Sequence, residues 1–191
     1  MHPVITTLSL MPVTALLDTR LEQRPPVIGF AAWSGVGKTT LLKQMLPLLC
    51  EQRLLIGIIK HAHHHFDIDH PGKDSFELRK AGAQQMLVTS NKRWALMVER
   101  QQQNEPRLDE HIEQLDYEQL DLILVEGFKK ADIPKIELYR SELQQPLLFP
   151  DDDNIIAVAT DSPLILPNNI VCLDINSPQQ IADFIFRRFL D

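Results

Sequence analysis

Short apolar runs alternate with amphipathic stretches along most of this chain. Runs of mostly apolar residues predict strands over residues 27–31, 54–60, 122–125, 133–139, 155–159 and 170–173. Apolar residues at helical spacing predict helices over residues 38–50, 108–120 and 178–190. The last helix is amphipathic, and its predicted buried face consists of Ile181, Phe184, Ile185 and Phe189. Strands that alternate with helices favour an α/β fold in which helices flank a mostly parallel sheet.

The segment after the first helix completes a βαβ pattern. Residues 54–60 are almost continuously apolar, as expected of a strand buried on both faces of a sheet. With the first strand and helix they predict a βαβ unit whose two strands pair in parallel. Farther on, Asp74 and Glu77 form a capping-box pattern that starts a short helix ending near Gly82. Two strand-like runs follow, over residues 84–89 and 94–100.

One loop in this pattern has the sequence of a phosphate-binding P-loop. The first strand leads into Ala32-Trp33-Ser34-Gly35-Val36-Gly37-Lys38-Thr39-Thr40, and a helix follows. Gly35 and Gly37 allow the backbone to curve around a phosphate so that successive N–H groups point at its oxygens. The first position of the motif, usually glycine, is Ala32, which fits if its φ is negative. Strand, loop and helix together predict a P-loop NTPase fold whose nucleotide contacts come from the residues between Ser34 and Thr40.

Candidate chemistry follows from residue types near the ends of strands. Lys38 is expected to bind the outer phosphates, and the Thr39 hydroxyl is expected to bind Mg²⁺. Glu126 ends a predicted strand, where it is expected to act through a metal-bound water, unless it only caps a turn. Asp67 and Asp69 are candidates for a switch-like carboxylate that couples Mg²⁺ or the attacking water to loop position, or else are solvated loop acids. The predicted catalytic residues are Lys38, Asp69 and Glu126, and the predicted metal ligands are Thr39, Asp67, Asp69 and Glu126.

A histidine-rich segment follows the second strand. Its histidines are His61, His63, His64, His65 and His70. Histidines close to acids can hold a transition metal. The same loop is also a plausible surface for a phosphate-rich ligand or for a partner protein. Lys73 and Arg79, farther along, are candidates to bind the γ-phosphate or an anionic substrate, or are solvated surface residues.

The overall composition narrows the classes of partner and compartment. The 19 basic and 26 acidic residues give a net charge of −7, which argues against duplex nucleic acid or an acidic membrane surface as the main partner. No apolar stretch is long enough to suggest a membrane span. Cys50 and Cys172 lack metal-type spacing and are predicted to be small core residues in a reducing cytosol, which favours a cytoplasmic protein. Residues 1–24 are a poor signal peptide and predict a loosely ordered extension before a nucleotide-binding domain over residues 25–191.

Five further blocks of this sequence are distinctive besides the P-loop. They are Lys60-His61 with its histidines, Pro71-Gly72-Lys73-Asp74-Ser75, Arg79-Lys80-Ala81-Gly82-Ala83, Leu124-Val125-Glu126-Gly127-Phe128 and Pro134-Lys135-Ile136-Glu137. Together with the P-loop, these blocks resemble the MobB family, the adapter proteins of molybdopterin-guanine dinucleotide biosynthesis. The resemblance covers about residues 27–161. It implies a weakly GTP-hydrolysing homodimer that binds GTP and assists the guanylyltransferase that joins GMP to molybdopterin. It also implies a contact with the molybdenum-insertion protein.

Guanine recognition has one candidate residue. Asn91-Lys92-Arg93 begins like the guanine-reading motif N-K-x-D, but Trp94 stands where the acid is needed. Asp161, after the strand over residues 155–159, has a carboxylate that can accept the N1–H and N2–H of guanine, and otherwise is a turn-forming acid. We expect GTP–Mg²⁺ to bind the P-loop and the γ-phosphate to order residues 61–75, so that a partner reads the GTP-bound surface. The apolar strand that begins at Trp94 is the expected dimer edge.

Two other functions would use the same P-loop. The histidine-rich segment suggests a metallochaperone GTPase of the kind that serves urease or hydrogenase maturation, although the sequence lacks a Cys-Pro metal motif. An ATP-dependent small-molecule kinase would need an acceptor pocket and an arginine-rich lid. Arginine is sparse between Arg79 and Arg107, so the kinase ranks last and the GTP-binding adapter ranks first.

Overall fold

The computed structural model describes residues 24–62, 66–100 and 105–191. These residues fall into two compact units. The first unit comprises the described chain up to His61 together with Leu108–Asp191, and the second comprises the described part of Ala62–Arg107. The domain predicted over residues 25–191 therefore contains two units. The extension predicted over residues 1–24 lies outside the described residues, apart from Arg24.

The described residues form eight strands and four α-helices. The strands are β1 (Val27–Ala31), β2 (Ile56–Lys60), β3 (Gln85–Thr89), β4 (Trp94–Val98), β5 (Leu122–Glu126), β6 (Lys135–Tyr139), β7 (Ile155–Thr160) and β8 (Val171–Asp174). The helices are α1 (Lys38–Glu51), α2 (Asp74–Lys80), α3 (Leu108–Ile112) and α4 (Pro178–Phe189). None of these helices is both long and apolar enough to cross a bilayer.

The first unit is built on a six-stranded parallel sheet in the order β2-β5-β1-β6-β7-β8. The predicted α/β fold with a mostly parallel sheet is therefore confirmed. The predicted pairing of the first two strands is wrong, because β5 lies between β1 and β2. Val125 of β5 has Gly29 as its partner on one side and Ile59 on the other. This insertion brings the carboxyl ends of three strands side by side, directly beside the P-loop.

Helices α1 and α4 share one hydrophobic core with the sheet. Met45 of α1 and Ile181 and Ile185 of α4 are fully buried in it. Each such side chain contributes about 1.5–3 kcal/mol through the apolar surface that it removes from water. The prediction that Ile181 and Ile185 face inward is confirmed, and Phe184 and Phe189 are partly buried against the same core.

Two elements differ from their predicted form. Strand β2 is not buried on both faces, because it is an edge strand and Ile58 remains 43% exposed. The helix predicted over residues 108–120 ends at Ile112. The residues just after it form i→i−3 hydrogen bonds, such as that from Leu115 N–H to the Ile112 carbonyl. Leu108, Ile112, Leu115 and Leu120 still pack on one cluster, which explains the helical spacing of the sequence.

Two local predictions are also wrong. Cys50 and Cys172 are exposed free thiols, because the neighbouring Leu49 and Leu173 take the inward positions. Asp74 does not cap α2, since the cap residue is Lys73 and Asp74 is already helical.

The second unit contains α2 and an antiparallel hairpin. Strands β3 and β4 pair from Gln85 with Val98 to Thr89 with Trp94, as the two strand-like runs predicted. Residues at alternate positions share one face of this hairpin. Leu87, Trp94, Leu96 and Val98 lie on the same face, and all four are exposed.

Candidate functional site

The P-loop of the first unit is an open backbone cradle. Gly35 and Gly37 have φ values of 84° and 101°, and a Cβ atom built at either position would meet no atom of the described residues within 4 Å. Among the non-glycine residues in the described ranges, only Arg53 and Gln144 have a positive φ. The φ of Ala32 is therefore negative, which is the condition under which alanine can replace the first glycine of the motif.

The helix that follows the cradle leaves its first N–H groups available. Gly37 is the N-cap of α1, no side chain in the described ranges caps the helix, and its first turn contains no acid. The first N–H groups of a helix have no partner within the helix, and the helix dipole makes this end positive. A cradle with open glycines followed by an uncapped helix terminus fits an anionic phosphate group.

Lys38 has its ammonium group folded over the P-loop. Its Nζ donates to the carbonyl oxygens of Ala32 at 3.3 Å and Trp33 at 3.4 Å. Partial burial lowers the pKa of Lys38, and the positive charges of Lys129 and Lys60 lower it further, while Glu126 acts in the opposite direction. A phosphate in the cradle would replace these carbonyls with a charged partner.

Glu126 ends its strand as the sequence predicted, and its role toward a metal stays a prediction. It ends β5 and has Phe30 of β1 and Lys60 of β2 as its neighbours across the sheet. Its side chain is only 12% exposed and forms an ion pair with Lys60 at 3.2 Å. Thr39 is the second residue of α1. The hydroxyl of Thr39 and the carboxylate of Glu126 are oxygen donors of the kind that Mg²⁺ prefers.

Asp67 and Asp69 belong to the second unit, where both face the buried side chain of Arg79. Arg79 Nη2 is 2.7 Å from Asp67 Oδ1 and 3.7 Å from Asp69 Oδ2, and Nη1 is 2.6 Å from Glu99 Oε1. The hydrogen bond from Arg79 lowers the pKa of Asp67. Arg79 is therefore an internal ion-pair partner rather than a solvated residue. A role of either aspartate toward Mg²⁺ stays a prediction.

The histidine-rich segment is described only in part. His63, His64 and His65 lie outside the described residues. His61 packs against Phe128 with their rings 5.0 Å apart, and His70 is exposed. In the part of the chain that the structure describes, no three His, Cys, Asp or Glu side chains gather as a possible metal site.

Asp161 and Arg140 connect the far side of the sheet to the P-loop. Asp161 Oδ1 accepts the N–H of Ser141 at 3.0 Å, which lowers the pKa of this aspartate, and Oδ2 is 3.5 Å from Arg140. Arg140 also donates to the Val36 carbonyl at 3.3 Å. A cavity of about 410 Å³ opens in front of Asp161, lined among others by Thr160, Ser162, Cys172, Asn176 and Gln180. The role of Asp161 as a guanine reader stays a prediction.

Three residues at this edge were missed by sequence reasoning: Arg140, Trp33 and Lys129. Arg140 directly follows β6, and no local pattern indicates its contact with Val36. Trp33 occupies a position of the P-loop motif that any residue can take. Lys129 follows the Glu126-Gly127-Phe128 block. Its position just after the strand that ends in Glu126 is the one feature of the sequence that could have identified it as a site residue.

Known proteins match this chain over most of its length. The profile of the family described as MobB, molybdopterin guanine dinucleotide synthesis protein B, matches residues 27–161. A molybdopterin-guanine dinucleotide biosynthesis adapter protein of Escherichia coli is 50% identical over 161 residues, covering 84% of this chain and 91% of the relative. The corresponding adapter protein of Haemophilus influenzae is 43% identical over 166 residues, covering 86% and 90%.

Solved structures share the fold. A crystal structure of Bacillus subtilis MobB superposes with a TM-score of 0.66 at 24% identity, covering 86% of this chain and 98% of that one. A MobB homolog from Bacillus stearothermophilus gives a TM-score of 0.63 at 23% identity, covering 85% and 97%. The predicted fold class is confirmed by these matches.

Proposed function

This chain belongs to the MobB family, and from that premise we propose that it is a GTP-binding adapter that assists attachment of GMP to molybdopterin. The observation that carries the proposal is the open cradle at Gly35 and Gly37, with the Lys38 ammonium folded beside it. Two relatives that share 50% and 43% of their residues with this chain are adapter proteins of molybdopterin-guanine dinucleotide biosynthesis. Family membership therefore favours the adapter over a metallochaperone or a kinase.

Nucleotide binding in this proposal rests on the P-loop. The N–H groups from Ser34 to Thr40 bind the phosphates, and Lys38 exchanges its two carbonyl partners for phosphate oxygens. Thr39 and Glu126 would hold Mg²⁺, which supplies charge neutralisation of the phosphates when bound. Either Asp67 or Asp69 can serve as the switch carboxylate only if it exchanges its ion pair with Arg79.

Guanine selectivity is assigned to Asp161. A carboxylate has about four acceptor positions, so Asp161 can keep the Ser141 N–H and still accept two donors from guanine. The depression beside it is open to solvent, so a base can reach the carboxylate. We expect slow hydrolysis that depends on a partner, because Arg140 is engaged by Val36, Asp161 and Asn176.

The proposed assembly is a cytoplasmic homodimer that contacts the guanylyltransferase, molybdopterin and the molybdenum-insertion protein. Isolated two-stranded hairpins are marginally stable in water, and large exposed apolar patches indicate interaction sites. The exposed face of Leu87, Trp94, Leu96 and Val98 therefore supports a dimer through the hairpin. Two exposed free cysteines, Cys50 and Cys172, fit a reducing compartment.

A competition titration tests nucleotide binding. Fluorescent GTP with Mg²⁺ is displaced by unlabelled GTP or ATP from the wild type, Lys38→Ala and the control Lys43→Ala, which changes an exposed lysine of the same helix. We expect selective displacement by GTP, its loss in Lys38→Ala and no change in Lys43→Ala. Preference for ATP would contradict the proposal and favour a kinase.

A reconstituted assay tests the adapter role. The purified guanylyltransferase joins GMP to molybdopterin with and without this protein, and the rate of product formation is measured. We expect the wild type to raise that rate and Lys38→Ala to raise it less. If both proteins raise the rate equally, the adapter role does not depend on nucleotide binding by the P-loop.

A further inference from the structure

A second lysine lies against the P-loop. Lys129 follows β5 by three residues, and its Nζ is 4.7 Å from the centroid of the Trp33 ring, within cation–π distance. The carbonyl oxygen of the same Trp33 accepts a hydrogen bond from Lys38. Two ammonium groups therefore approach one residue of the P-loop, Lys129 at its ring and Lys38 at its backbone.

The indole of Trp33 also forms a hydrogen bond of its own. Trp33 Nε1 donates to the carbonyl oxygen of Pro146 at 2.7 Å. The chain just after Pro146 is fixed by Glu137, whose carboxylate accepts the N–H groups of Leu148 at 2.7 Å and Phe149 at 2.9 Å. The indole therefore has a hydrogen-bond partner in addition to its contact with Lys129.

The backbone that carries Lys129 is also fixed. Gly127 has φ 103°, and a Cβ atom there would lie 2.9 Å from the carbonyl oxygen of His61, so this turn requires glycine. Phe128 packs on the core cluster of Val125, and the N–H of Lys129 donates to the Gly127 carbonyl at 2.8 Å. The turn thus anchors Phe128 in the core and places Lys129 on the P-loop side.

Among the described residues, the charges around the cradle include no acidic partner for Lys129. Lys60 is paired with Glu126 at 3.2 Å. No carboxylate of the described residues forms an ion pair with Lys129, and its positive charge contributes to the lowered pKa of Lys38. An anion in the cradle would relieve this repulsion, and a charge-assisted hydrogen bond to phosphate is stronger than an exposed cation–π contact.

We propose that Lys129 binds the third phosphate of a bound nucleoside triphosphate and that Trp33 is its positioning residue. This inference rests on the proposed nucleotide binding by the P-loop. Because a diphosphate lacks the group that Lys129 would bind, the lysine favours the triphosphate over the diphosphate. Lys38 binds phosphates in either case, so the two lysines have separable effects.

The test is calorimetric titration with a non-hydrolysable GTP analogue and with GDP, both with Mg²⁺. The variants are Lys129→Gln, Lys129→Arg and the matched control Lys130→Gln, which changes the next, exposed lysine. We expect Lys129→Gln to lower the affinity for the GTP analogue by about tenfold, the effect of one hydrogen bond to a charged group, and to leave GDP affinity unchanged. Lys129→Arg and Lys130→Gln should retain the wild-type ratio of the two affinities.

Trp33 is tested by the same ratio. Trp33→Leu should lower the preference for the GTP analogue, and Trp33→Phe, which retains a ring, should preserve most of it. If Lys129→Gln weakens both nucleotides equally or neither, Lys129 only packs on Trp33 and the inference is wrong. If the wild type binds neither nucleotide, the proposed function itself fails, so the two failures are distinguishable.

Discussion

Arg140 donates a hydrogen bond from Nε to the carbonyl oxygen of Val36 at 3.3 Å, so the segment after β6 is fastened to the P-loop. The same guanidinium donates to Asn176 Oδ1 at 3.2 Å and lies 3.5 Å from Asp161 Oδ2. These contacts are possible because β6 lies next to β1 in the sheet. One side chain thereby links the phosphate cradle to the cavity in front of Asp161.

Replacing Arg140 should weaken nucleotide binding without unfolding the protein. Arg140→Met removes the donor to Val36 and leaves Asp161 without its cation. The loss of one or two such hydrogen bonds should lower the affinity for GTP by roughly three- to tenfold. Titration with fluorescent GTP measures the effect. Arg188→Met, which changes an exposed arginine of α4, should bind as the wild type does. Equal affinity of the wild type and Arg140→Met would show that the link does not matter for binding.

Glu137 should make stability depend on pH. It is 1% exposed, and burial raises the pKa of its carboxyl, although hydrogen bonds from Leu148 and Phe149 oppose the rise. A folded-state pKa above the unfolded value means that the folded state binds more protons in this range, so stability falls as pH rises from about 4.5 through the folded pKa. Glu137→Gln lacks this titration.

Urea unfolding of the wild type and Glu137→Gln between pH 4.5 and 8 measures that contribution, since other carboxyl groups cancel in the difference. At the acidic end, the wild type should be more stable by about 1–3 kcal/mol, because the amide leaves one backbone N–H without an acceptor. This advantage should shrink as the pH rises. A difference that stays constant over the whole range would mean that Glu137 does not titrate there.

The sequence predicted those parts of the candidate site that depend on residues close together in the chain. The P-loop follows from residues within one strand–loop–helix segment, and the position of Glu126 follows from a single apolar strand that ends in an acid. The condition on Ala32 could be stated in advance because φ is a local property. Each of these depends on neighbours in the chain.

The missed features depend on residues that are distant in sequence. The insertion of β5 between β1 and β2 is a property of topology, and apolar strands alone do not show their order in a sheet. The contacts of Arg140 with Val36 and of Trp33 with Pro146 each join residues about a hundred positions apart. The prediction of a helix up to Leu120 is wrong for another reason. Apolar residues at helical spacing also fit a short helix followed by turns, when both pack on the same hydrophobic cluster.

Arg79 should hold the second unit together. Its side chain is 6% exposed and pairs with Asp67, Asp69 and Glu99, while Asp69 Oδ2 and Arg79 Nε have no hydrogen-bond partner among the described residues. Arg79→Met removes the cation and leaves three carboxylates whose negative charges repel one another, and Asp69, at 11% exposure, is the least screened by solvent. Amide hydrogen exchange in α2 should therefore become faster than in the wild type. Lys80→Met is the matched control, and equal exchange in both variants would contradict this role.

The hairpin face should set the oligomeric state. Trp94 is 66% exposed at the end of an apolar face, and a lysine there would place a charge in any interface that buries it. We expect the wild type to sediment at twice the chain mass of 21.9 kDa and Trp94→Lys to sediment as single chains. Ile165→Lys changes a fully exposed apolar residue of the first unit and should remain dimeric, because Ile165 is not part of the hairpin face. A dimeric Trp94→Lys would place the interface elsewhere, whereas a monomeric wild type would leave the exposed face for a different partner.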